Sequence, residues 1–450
     1  MFKKYRSHYI TILPLAIPVV ISQLGHTLVH VADSIIVGRF AGTIPLAAVS
    51  LVNSIFTIIL VIGLGLSYGL TPLISQANGR NDEEECGVLL SNSLLINAVA
   101  SIILFVFTYF GSLLIIDHLG QDAEVIRVAK PYLKLLSISI IPLMIFMTFK
   151  QFTEGLGFTK QAMQITIWGN ILNICLGVIF VKGLFGIAPM GVSGVGWSTL
   201  IDRTLMAIVM AFYVIKNERF KMYIRQFSIK NYQSLYCIKL LKIGVPIALQ
   251  YTFEISAFSA AAIIMGVIGT NEQAAHQVAI SLAAMTYMMA SGISAAAAIK
   301  SGNNFGQKTF GDLRLSAISS YHLVIGFMSF TAIILFVFHK QLPYIYTSDQ
   351  NVIVIASQLL IFAAVFQLFD GVQVVGLGIL RGMGDVKIPT VITLIAYWVI
   401  GIPIAYFFGI VLNYGAGGIW LGLTIGLLVA ATLLYFRFNF LSKKLDVQLV

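Results

Sequence analysis

Three residues that can bind or transfer a cation lie in one apolar stretch near the N-terminus. His26, His30 and Asp33 occur in the segment 15–38, whose other residues are mostly apolar. Their spacing, four residues and then three, places the three side chains on one face of an α-helix. An ionisable side chain in the middle of a bilayer is so costly that it nearly always faces a protein interior or a water-filled cavity. We therefore expect this face to line the path of an ion or a substrate.

Further polar residues interrupt apolar stretches later in the chain. Glu254 lies eight residues after Pro246, and Asp370 lies in the middle of a later apolar stretch. We predict that these two carboxylates and Asp33 bind a cation. The other candidates, for substrate contact or proton transfer, are His26, His30, Asn170, Asn173, Gln250, Phe366, Gln367 and Gln373.

The same residues also have a purely structural interpretation. A buried carboxyl can stay neutral and hydrogen-bond to a neighbouring helix, and a neutral imidazole or amide can join two helices without moving a proton. Three lysines, Lys134, Lys150 and Lys300, lie near expected helix ends. We expect their long side chains to reach the membrane surface.

The composition indicates which elements must position these side chains. Of the 450 residues, 58% are hydrophobic and 10% are charged, whereas soluble domains have about 25% charged residues. The chain is therefore an integral membrane protein. Its net charge of +10 comes from Lys and Arg located between apolar stretches, which argues against a nucleic-acid-binding groove. The three cysteines have no metal-binding or disulfide spacing.

Twelve stretches are long enough to cross a bilayer, which takes about 20 apolar residues. They lie near 12–37, 46–74, 88–115, 128–152, 161–182, 192–215, 240–267, 275–299, 316–338, 352–379, 388–412 and 417–437. If both termini are on one side, that side receives 21 of the 28 Lys and Arg residues. The positive-inside rule then predicts cytoplasmic termini and a multi-pass protein of the cell (inner) membrane.

The two halves of the chain resemble each other. LAIPVVIS at 15–22 matches IGVPIALQ at 243–250, and EGLGFTK at 154–160 matches RGMGDVK at 381–387. Because each half has an even number of spans, the halves enter the membrane from the same side and form parallel repeats. We predict an all-α membrane protein with two six-helix lobes, 1–222 and 238–450, around a central cavity, joined by a basic cytoplasmic linker, 223–237.

This architecture favours a transporter that works by alternating access. A membrane enzyme would need a nucleophile with a base or a metal cluster, and the sequence has no H-E-x-x-H or H-x-x-E-H motif. A channel is usually a symmetric assembly of short subunits. We therefore predict a transporter without enzymatic activity, and without a cofactor.

Several segments resemble one known family of transporters. They are VADSIIVGRFAG around Asp33, TPLISQANGR, TEGLGFTK, EQAAHQVA at 272–279, GILRGMGD, and DGVQVVG starting at Asp370. Together they resemble the MATE (multidrug and toxic compound extrusion) family, most closely its NorM-like branch, over essentially the whole chain. The resemblance implies Na⁺ binding at Glu254 and Asp370. One residue departs from that pattern: NorM-like members tend to have a tyrosine where this chain has Phe366, which offers no oxygen.

The sequence thus predicts an antiporter that exports organic cations and is driven by Na⁺, more than by H⁺, moving inward. We expect a monomer embedded in lipid, with no nucleic-acid partner. Two alternatives on the same two-lobed fold remain, a flippase for a lipid-linked saccharide and an exporter of a metabolite. A flippase would be expected to line its cavity with several Arg or Lys residues for a pyrophosphate, whereas Arg203 is the only one well inside a predicted span.

Overall fold

The structure is a computed structural model that describes residues 2–118, 121–228 and 231–447. All regular secondary structure in these residues is helical, and twelve helices are long and apolar enough to cross a membrane. These helices, α1 to α12, are Lys4–Phe40, Thr43–Gly79, Glu83–Ile116, Ala123–Gly155, Thr159–Lys182, Val192–Lys216, Ser234–Ile268, Thr270–Gly306, Phe310–Val337, Gln350–Gly382, Lys387–Val411 and Gly415–Leu445. The prediction of twelve spans is confirmed.

Several helices begin earlier than their apolar stretches do, because polar residues cap them. The side chain of Asp82 accepts a hydrogen bond from the backbone N–H of Glu85 at 2.9 Å, just before α3. Asp122 does the same for Glu124 at 2.7 Å before α4. Such caps satisfy backbone donors that have no partner within the helix. The first turn can therefore be charged and yet helical.

Helix α11 departs from regular α-helical geometry in its middle and at its end. Residues Ile395–Gly401 and Phe407–Val411 form π-helical turns. Such turns are rare and often occur at functional sites, because the extra residue re-aims the side chains around it. The first of them carries Tyr397.

The described chain divides into two compact units whose limits differ from those of the sequence repeats. One unit, here the N-unit, is Ile21–Ala248, and the other, the C-unit, is Met1–Val20 with Leu249–Val450. Both divisions fall inside continuous helices, α1 and α7. The first half of α1 thus belongs with the later helices, and the first half of α7 belongs with the earlier ones.

Close helix crossings hold the first half of α7 in the N-unit. A Cβ atom on Gly69 of α2 would lie 2.7 Å from Gly244 Cα, and one on Gly65 would lie 2.8 Å from the backbone nitrogen of Ala248. Only glycine lets two backbones approach so closely. These glycines therefore fix the contact between α2 and the start of α7.

The segment before α7, which the sequence predicts to be a linker, also packs on the N-unit. Asn92 of α3 accepts a hydrogen bond from the Gln233 backbone N–H at 2.9 Å and donates one to the Asn231 carbonyl at 3.2 Å. Tyr223 donates to Asn78 at 3.1 Å. Side chains of the N-unit therefore hold this segment near its start, at Tyr223, and near its end, at Asn231 and Gln233.

The first half of α1 packs into the core of the C-unit. Ile12 and Ala16 belong to the same buried cluster as Ala290 of α8 and Phe438 of α12. The Tyr9 hydroxyl lies 2.9 Å from His322 Nδ1 of α9. Apolar burial and this hydrogen bond together attach the start of the chain to helices that follow much later.

Candidate functional site

The N-unit contains a buried charged cluster around Asp33. Asp33 is 3% exposed, and Asp202 and Arg203 of α6 are 4% and 8% exposed. Arg203 interacts electrostatically with both carboxylates. The two carboxylates and one guanidinium leave one formal negative charge in this cluster.

Arg203 is held in place by neutral groups. Its Nη1 donates a hydrogen bond to Ser139 Oγ at 2.7 Å, and its guanidinium carbon lies 5.4 Å from the centre of the Phe56 ring. Among the residues that the structure describes, Asp33 Oδ1 and Asp202 Oδ1 have no hydrogen-bond partner. The carboxylates therefore keep oxygen atoms available for another group.

The two predicted asparagines lie next to this cluster on α5. Asn173 Nδ2 donates to Thr199 Oγ1 at 3.3 Å, and its side chain also hydrogen-bonds to Asp202. Asn173 Oδ1 has no partner within the described part of the chain. Asn170 packs against Gly25 of α1, where any side chain larger than hydrogen would collide with its amide.

The three residues on one face of α1 have different surroundings. His30 lines an open cavity of about 830 Å³ formed by residues of α1 and α2, whereas Asp33 is buried in the charged cluster. Asn53 lines the same cavity and accepts a hydrogen bond from the Tyr132 hydroxyl at 3.2 Å. Tyr132 in turn interacts with Asp33. Asn53 and Tyr132 therefore connect the cavity to the buried carboxylate.

His26 lies one turn before His30 on α1, near a buried ion pair. Its charged neighbours are Lys150, His30 and Arg203. Lys150 Nζ lies 3.9 Å from Glu154 Oε1, and both side chains are at most 5% exposed. The expectation that Lys150 reaches the membrane surface is wrong, because α4 continues to Gly155 and is packed on all sides there.

The C-unit contains a second acidic site, formed by Glu254 of α7 and Asp370 of α10. They are 6% and 4% exposed and interact electrostatically with each other. Tyr287 of α8 hydrogen-bonds to Glu254, and Tyr397 interacts with both carboxylates. Asp370 Oδ1 and the Tyr397 hydroxyl have no partner among residues 2–118, 121–228 and 231–447.

Gln250 has a structural role near this pair. Its Oε1 accepts hydrogen bonds from Arg381 Nη2 at 2.9 Å and Nε at 3.2 Å, and its Nε2 donates to Thr390 and to the Val386 carbonyl. Both the oxygen and the nitrogen of the Gln250 amide therefore already have partners, in α10 and around the start of α11. Arg381 also donates to Tyr251 at 3.2 Å.

The remaining predicted residues lie on α10 around Asp370. Phe366 is 2% exposed and packs against Trp420, with ring centres 5.3 Å apart. Gln367 donates to the Met328 carbonyl at 3.4 Å. Both amide atoms of Gln373 are buried without a partner in the described chain, so Gln373 has free hydrogen-bonding groups one turn from Asp370.

Sequence reasoning did not identify the tyrosines of either site. Tyr132, Tyr287 and Tyr397 lie in membrane-spanning helices, where a tyrosine gives no signal of its own. The adjacent charges of Asp202 and Arg203 in the middle of a span were a usable signal, because two charged residues rarely occur there without a role.

Comparisons with known proteins agree with the architecture. The sequence profile of the MatE family matches residues 18–179 and 246–407. The "Probable multidrug resistance protein NorM" of Bacillus subtilis (strain 168) is 32% identical over 433 residues, covering 96% of each chain. The "Multidrug resistance protein NorM" of Vibrio vulnificus (strain YJ016) is 31% identical over 448 residues, covering 98% of each.

Solved structures show the same fold. The crystal structure of the eukaryotic MATE transporter AtDTX14 has a TM-score of 0.88 at 20% identity, over 99% of this chain and 100% of the other. The crystal structure of MATE in complex with MaL6 has a TM-score of 0.83 at 24% identity, over 97% and 96%.

Proposed function

Because the chain belongs to the MATE family and is a multidrug efflux transporter rather than an enzyme, we propose that it exports organic cations in exchange for an inward-moving cation by alternating access. The observation that carries this proposal is the buried pair of Glu254 and Asp370. Two like charges that interact in a low-dielectric interior repel each other, and a bound cation reduces that repulsion.

Na⁺ is the proposed coupling ion at this pair. Na⁺ is a hard cation, for which carboxylate, hydroxyl and amide oxygens are suitable ligands. Asp370, Tyr397 and Gln373 each have a buried oxygen without a partner among the described residues. The hydroxyl of Tyr397 supplies an oxygen on α11, which offsets the absence of one at Phe366. The site thus offers the ligand types that Na⁺ requires.

Asp33 is the third proposed cation-binding carboxylate, and the cation that it binds is a proton. It interacts with Asp202, Arg203 and Tyr132, and His26 and His30 lie on the same helix. A carboxyl in such a group titrates together with its neighbours. We propose that a proton passes through this group as part of the transport cycle.

The cavity beside α1 and α2 is the proposed place for the organic cation in the N-unit. Its volume of about 830 Å³ lies in the range of about 300 to 1,000 Å³ that drug-sized ligands occupy. Thr27, Ser34, Asn53 and Thr57 supply hydrogen-bonding groups to its wall.

Exchange of one monovalent cation for another moves no net charge across the membrane. The membrane potential, worth about 2.3 kcal/mol per 100 mV for each charge moved, would then contribute nothing directly. The ion gradient would supply the free energy, about 1.4 kcal/mol for each tenfold ratio.

The proposed setting is the cell membrane, with both termini in the cytoplasm and the protein a monomer among lipids. The proposed moving bodies are the two lobes predicted from the repeats, 1–222 and 238–450. The two packing units support different bounds for these bodies. The first half of α1 would move with the second body, and the first half of α7 would move with the first body. The basic segment 223–237 then moves with the first body.

Transport by purified protein in proteoliposomes tests the proposal. A fluorescent organic cation is loaded, and a Na⁺ gradient or a H⁺ gradient is imposed separately. We expect efflux driven by the Na⁺ gradient, with an additional dependence on pH. Absence of export under either gradient would contradict drug antiport and favour a flippase or a metabolite exporter, and export under the H⁺ gradient alone would contradict Na⁺ coupling.

A further inference from the structure

We propose that Trp398 is a positioning residue that keeps Tyr397 at a fixed separation from Glu254 and so gives the C-unit pair a preference for Na⁺ over the larger K⁺. The inference rests on the proposed function in one respect, that Na⁺ binds at Glu254 and Asp370 with the Tyr397 hydroxyl as a further ligand. It names the residue that sets the size of that site.

Trp398 connects the two helices that carry Glu254 and Tyr397. Its indole N–H donates a hydrogen bond to the Phe253 carbonyl at 3.3 Å and to Ser256 Oγ at 3.1 Å, both on α7. The Ser256 hydroxyl in turn donates to the same carbonyl at 3.1 Å. The indole, the hydroxyl and the carbonyl therefore form one closed set of hydrogen bonds between α11 and α7.

This bridge lies next to a proposed Na⁺ ligand on each helix. The Phe253 carbonyl belongs to the peptide bond that joins Phe253 to Glu254, and Trp398 directly follows Tyr397. The bridge therefore fixes the backbone at Glu254 relative to the backbone at Tyr397.

The hydrogen bond of Gln250 to α11 is too far away to do the same. Gln250 donates to Thr390 at 3.0 Å, but Thr390 lies about two turns before Tyr397. A contact at that distance along α11 holds the start of the helix and leaves the position of Tyr397 to Trp398.

Tyr397 needs such an anchor, because its hydroxyl has no hydrogen-bond partner in the part of the chain that the structure describes. Its side chain is buried and interacts electrostatically with Glu254 and Asp370. Tyr397 also lies in the π-helical turn Ile395–Gly401, where α11 departs from regular geometry. Adjacent residues of a helix point roughly a quarter of a turn apart, so the bond of Trp398 to α7 leaves Tyr397 directed to another side of α11.

The depth of Trp398 in the membrane keeps the bridge in place. Tryptophan is enriched at the two membrane surfaces, whereas Trp398 lies near the middle of α11, which is Lys387–Val411. An N–H group without a partner is costly at that depth. The indole therefore retains its bonds to α7.

A fixed separation between ligands favours one size of ion. Selection between two cations of equal charge depends on the size, the ligand number and the flexibility of the site. Without the bridge, Tyr397 can move away from Glu254, which weakens the contacts with Na⁺ and makes room for K⁺. The ratio of Na⁺ affinity to K⁺ affinity should then fall.

Binding of radioactive Na⁺ to purified full-length protein, with K⁺ as competitor, tests the proposal. Trp398→Phe removes the N–H and keeps an aromatic ring. We expect the ratio of Na⁺ to K⁺ affinity to fall about fivefold, the factor that corresponds to one hydrogen bond. The matched control is Trp420→Phe, which removes the bond of the other C-unit tryptophan to His276 and should leave the ratio within about twofold of wild type.

A double variant shows whether Trp398 acts through Tyr397. Tyr397→Phe should itself lower the ratio, because it removes the hydroxyl that binds Na⁺. Adding Trp398→Phe should then change the ratio by less than about twofold, because the separation no longer matters. A further fall of about fivefold would mean that Trp398 acts elsewhere and would overturn the inference.

The outcomes separate this inference from the proposed Na⁺ coupling. If folded Trp398→Phe, checked by gel filtration and thermal unfolding, unfolded at a lower temperature but kept the wild-type ratio, Trp398 would have only a structural role. If Trp398→Phe does not fold, Ser256→Ala decides, because it removes one of the two acceptors of the indole N–H. It should lower the ratio about twofold, and an unchanged ratio would overturn the inference. If the wild type bound no Na⁺, the proposed coupling itself would fail, and this inference with it.

Discussion

Replacement of either carboxylate in the C-unit pair should almost abolish Na⁺ binding. Glu254→Gln and Asp370→Asn each remove one charge and keep the shape of the side chain. Because Glu254 and Asp370 are 6% and 4% exposed, an effective dielectric constant near 20 applies, and a unit charge about 4 Å from the ion is worth about 4 kcal/mol. We therefore expect the Na⁺ affinity to fall about a thousandfold in each variant. In bulk water, the same interaction would be worth about 1 kcal/mol.

The assay is Na⁺-driven efflux of a fluorescent organic cation from proteoliposomes, together with Na⁺ binding to the purified protein. The matched control is Glu272→Gln, which removes a carboxylate of the same unit that lines a different cavity, of about 410 Å³. The control should transport like the wild type. Wild-type efflux in either Glu254→Gln or Asp370→Asn would refute the placement of the ion at this pair.

Three further predictions follow from other parts of the structure. Asp33→Asn should flatten the pH dependence of efflux at fixed Na⁺, because it removes the carboxyl of the coupled group; an unchanged pH profile would leave this group a structural role. Na⁺ should lower the affinity for the organic cation by about 5-fold to 150-fold, and the cargo should weaken Na⁺ binding by the same factor, as measured by titrating a fluorescent cation at several Na⁺ concentrations; a flat affinity would mean that coupling lies in transport rates. Asn92→Ala should release the segment before α7, because it removes two hydrogen bonds to that segment's backbone, worth about 2 kcal/mol together. Trypsin should then cut at Lys221 or Arg225 about 30-fold faster, and Asn92→Asp, which keeps the accepting oxygen, should give an intermediate rate. Unchanged cleavage would contradict the packing of this segment on α3.

The positions of the helices could be predicted from the sequence, since hydrocarbon requires long apolar segments and each helix satisfies its own backbone hydrogen bonds. The helix ends could not be predicted as well. Residues such as Asp82 and Asp122 are charged, and their role as caps depends on local geometry and not on hydropathy.

Carboxylates in the membrane could be identified from their cost, but their partners could not. Gln250 is one of the predicted substrate contacts, yet the structure shows its amide occupied by Arg381, Thr390 and Val386. Residue type and position along one helix do not say which neighbouring helix supplies a donor. The expectation that Lys150 reaches the membrane surface was wrong for the same reason. Its ion pair with Glu154 forms in a buried part of α4, and the sequence of α4 alone does not show that this part is buried.

The sequence repeats also differ from the packing units for a physical reason. A repeat records how the chain was duplicated, whereas a packing unit depends on which faces are complementary. Gly69 and Gly244 belong to different repeats and lie in one unit because two small residues allow a close crossing.

The first half of α1 packs with the helices of the C-unit, and the first half of α7 packs with those of the N-unit. This arrangement has a consequence for biosynthesis. Ile12 and Ala16 are among the first residues to be made, and the buried cluster to which they belong also contains Ala290 and Phe438, which leave the ribosome far later. The start of α1 must therefore wait in the membrane, inserted but without its final neighbours, until nearly the whole chain has been synthesised. The start of α7, in contrast, meets α2 as soon as it is inserted. A fragment that ends before α7 would lack the half-helix that contacts Gly65 and Gly69, so the N-unit can be completed only after the second half of the chain has begun to enter the membrane.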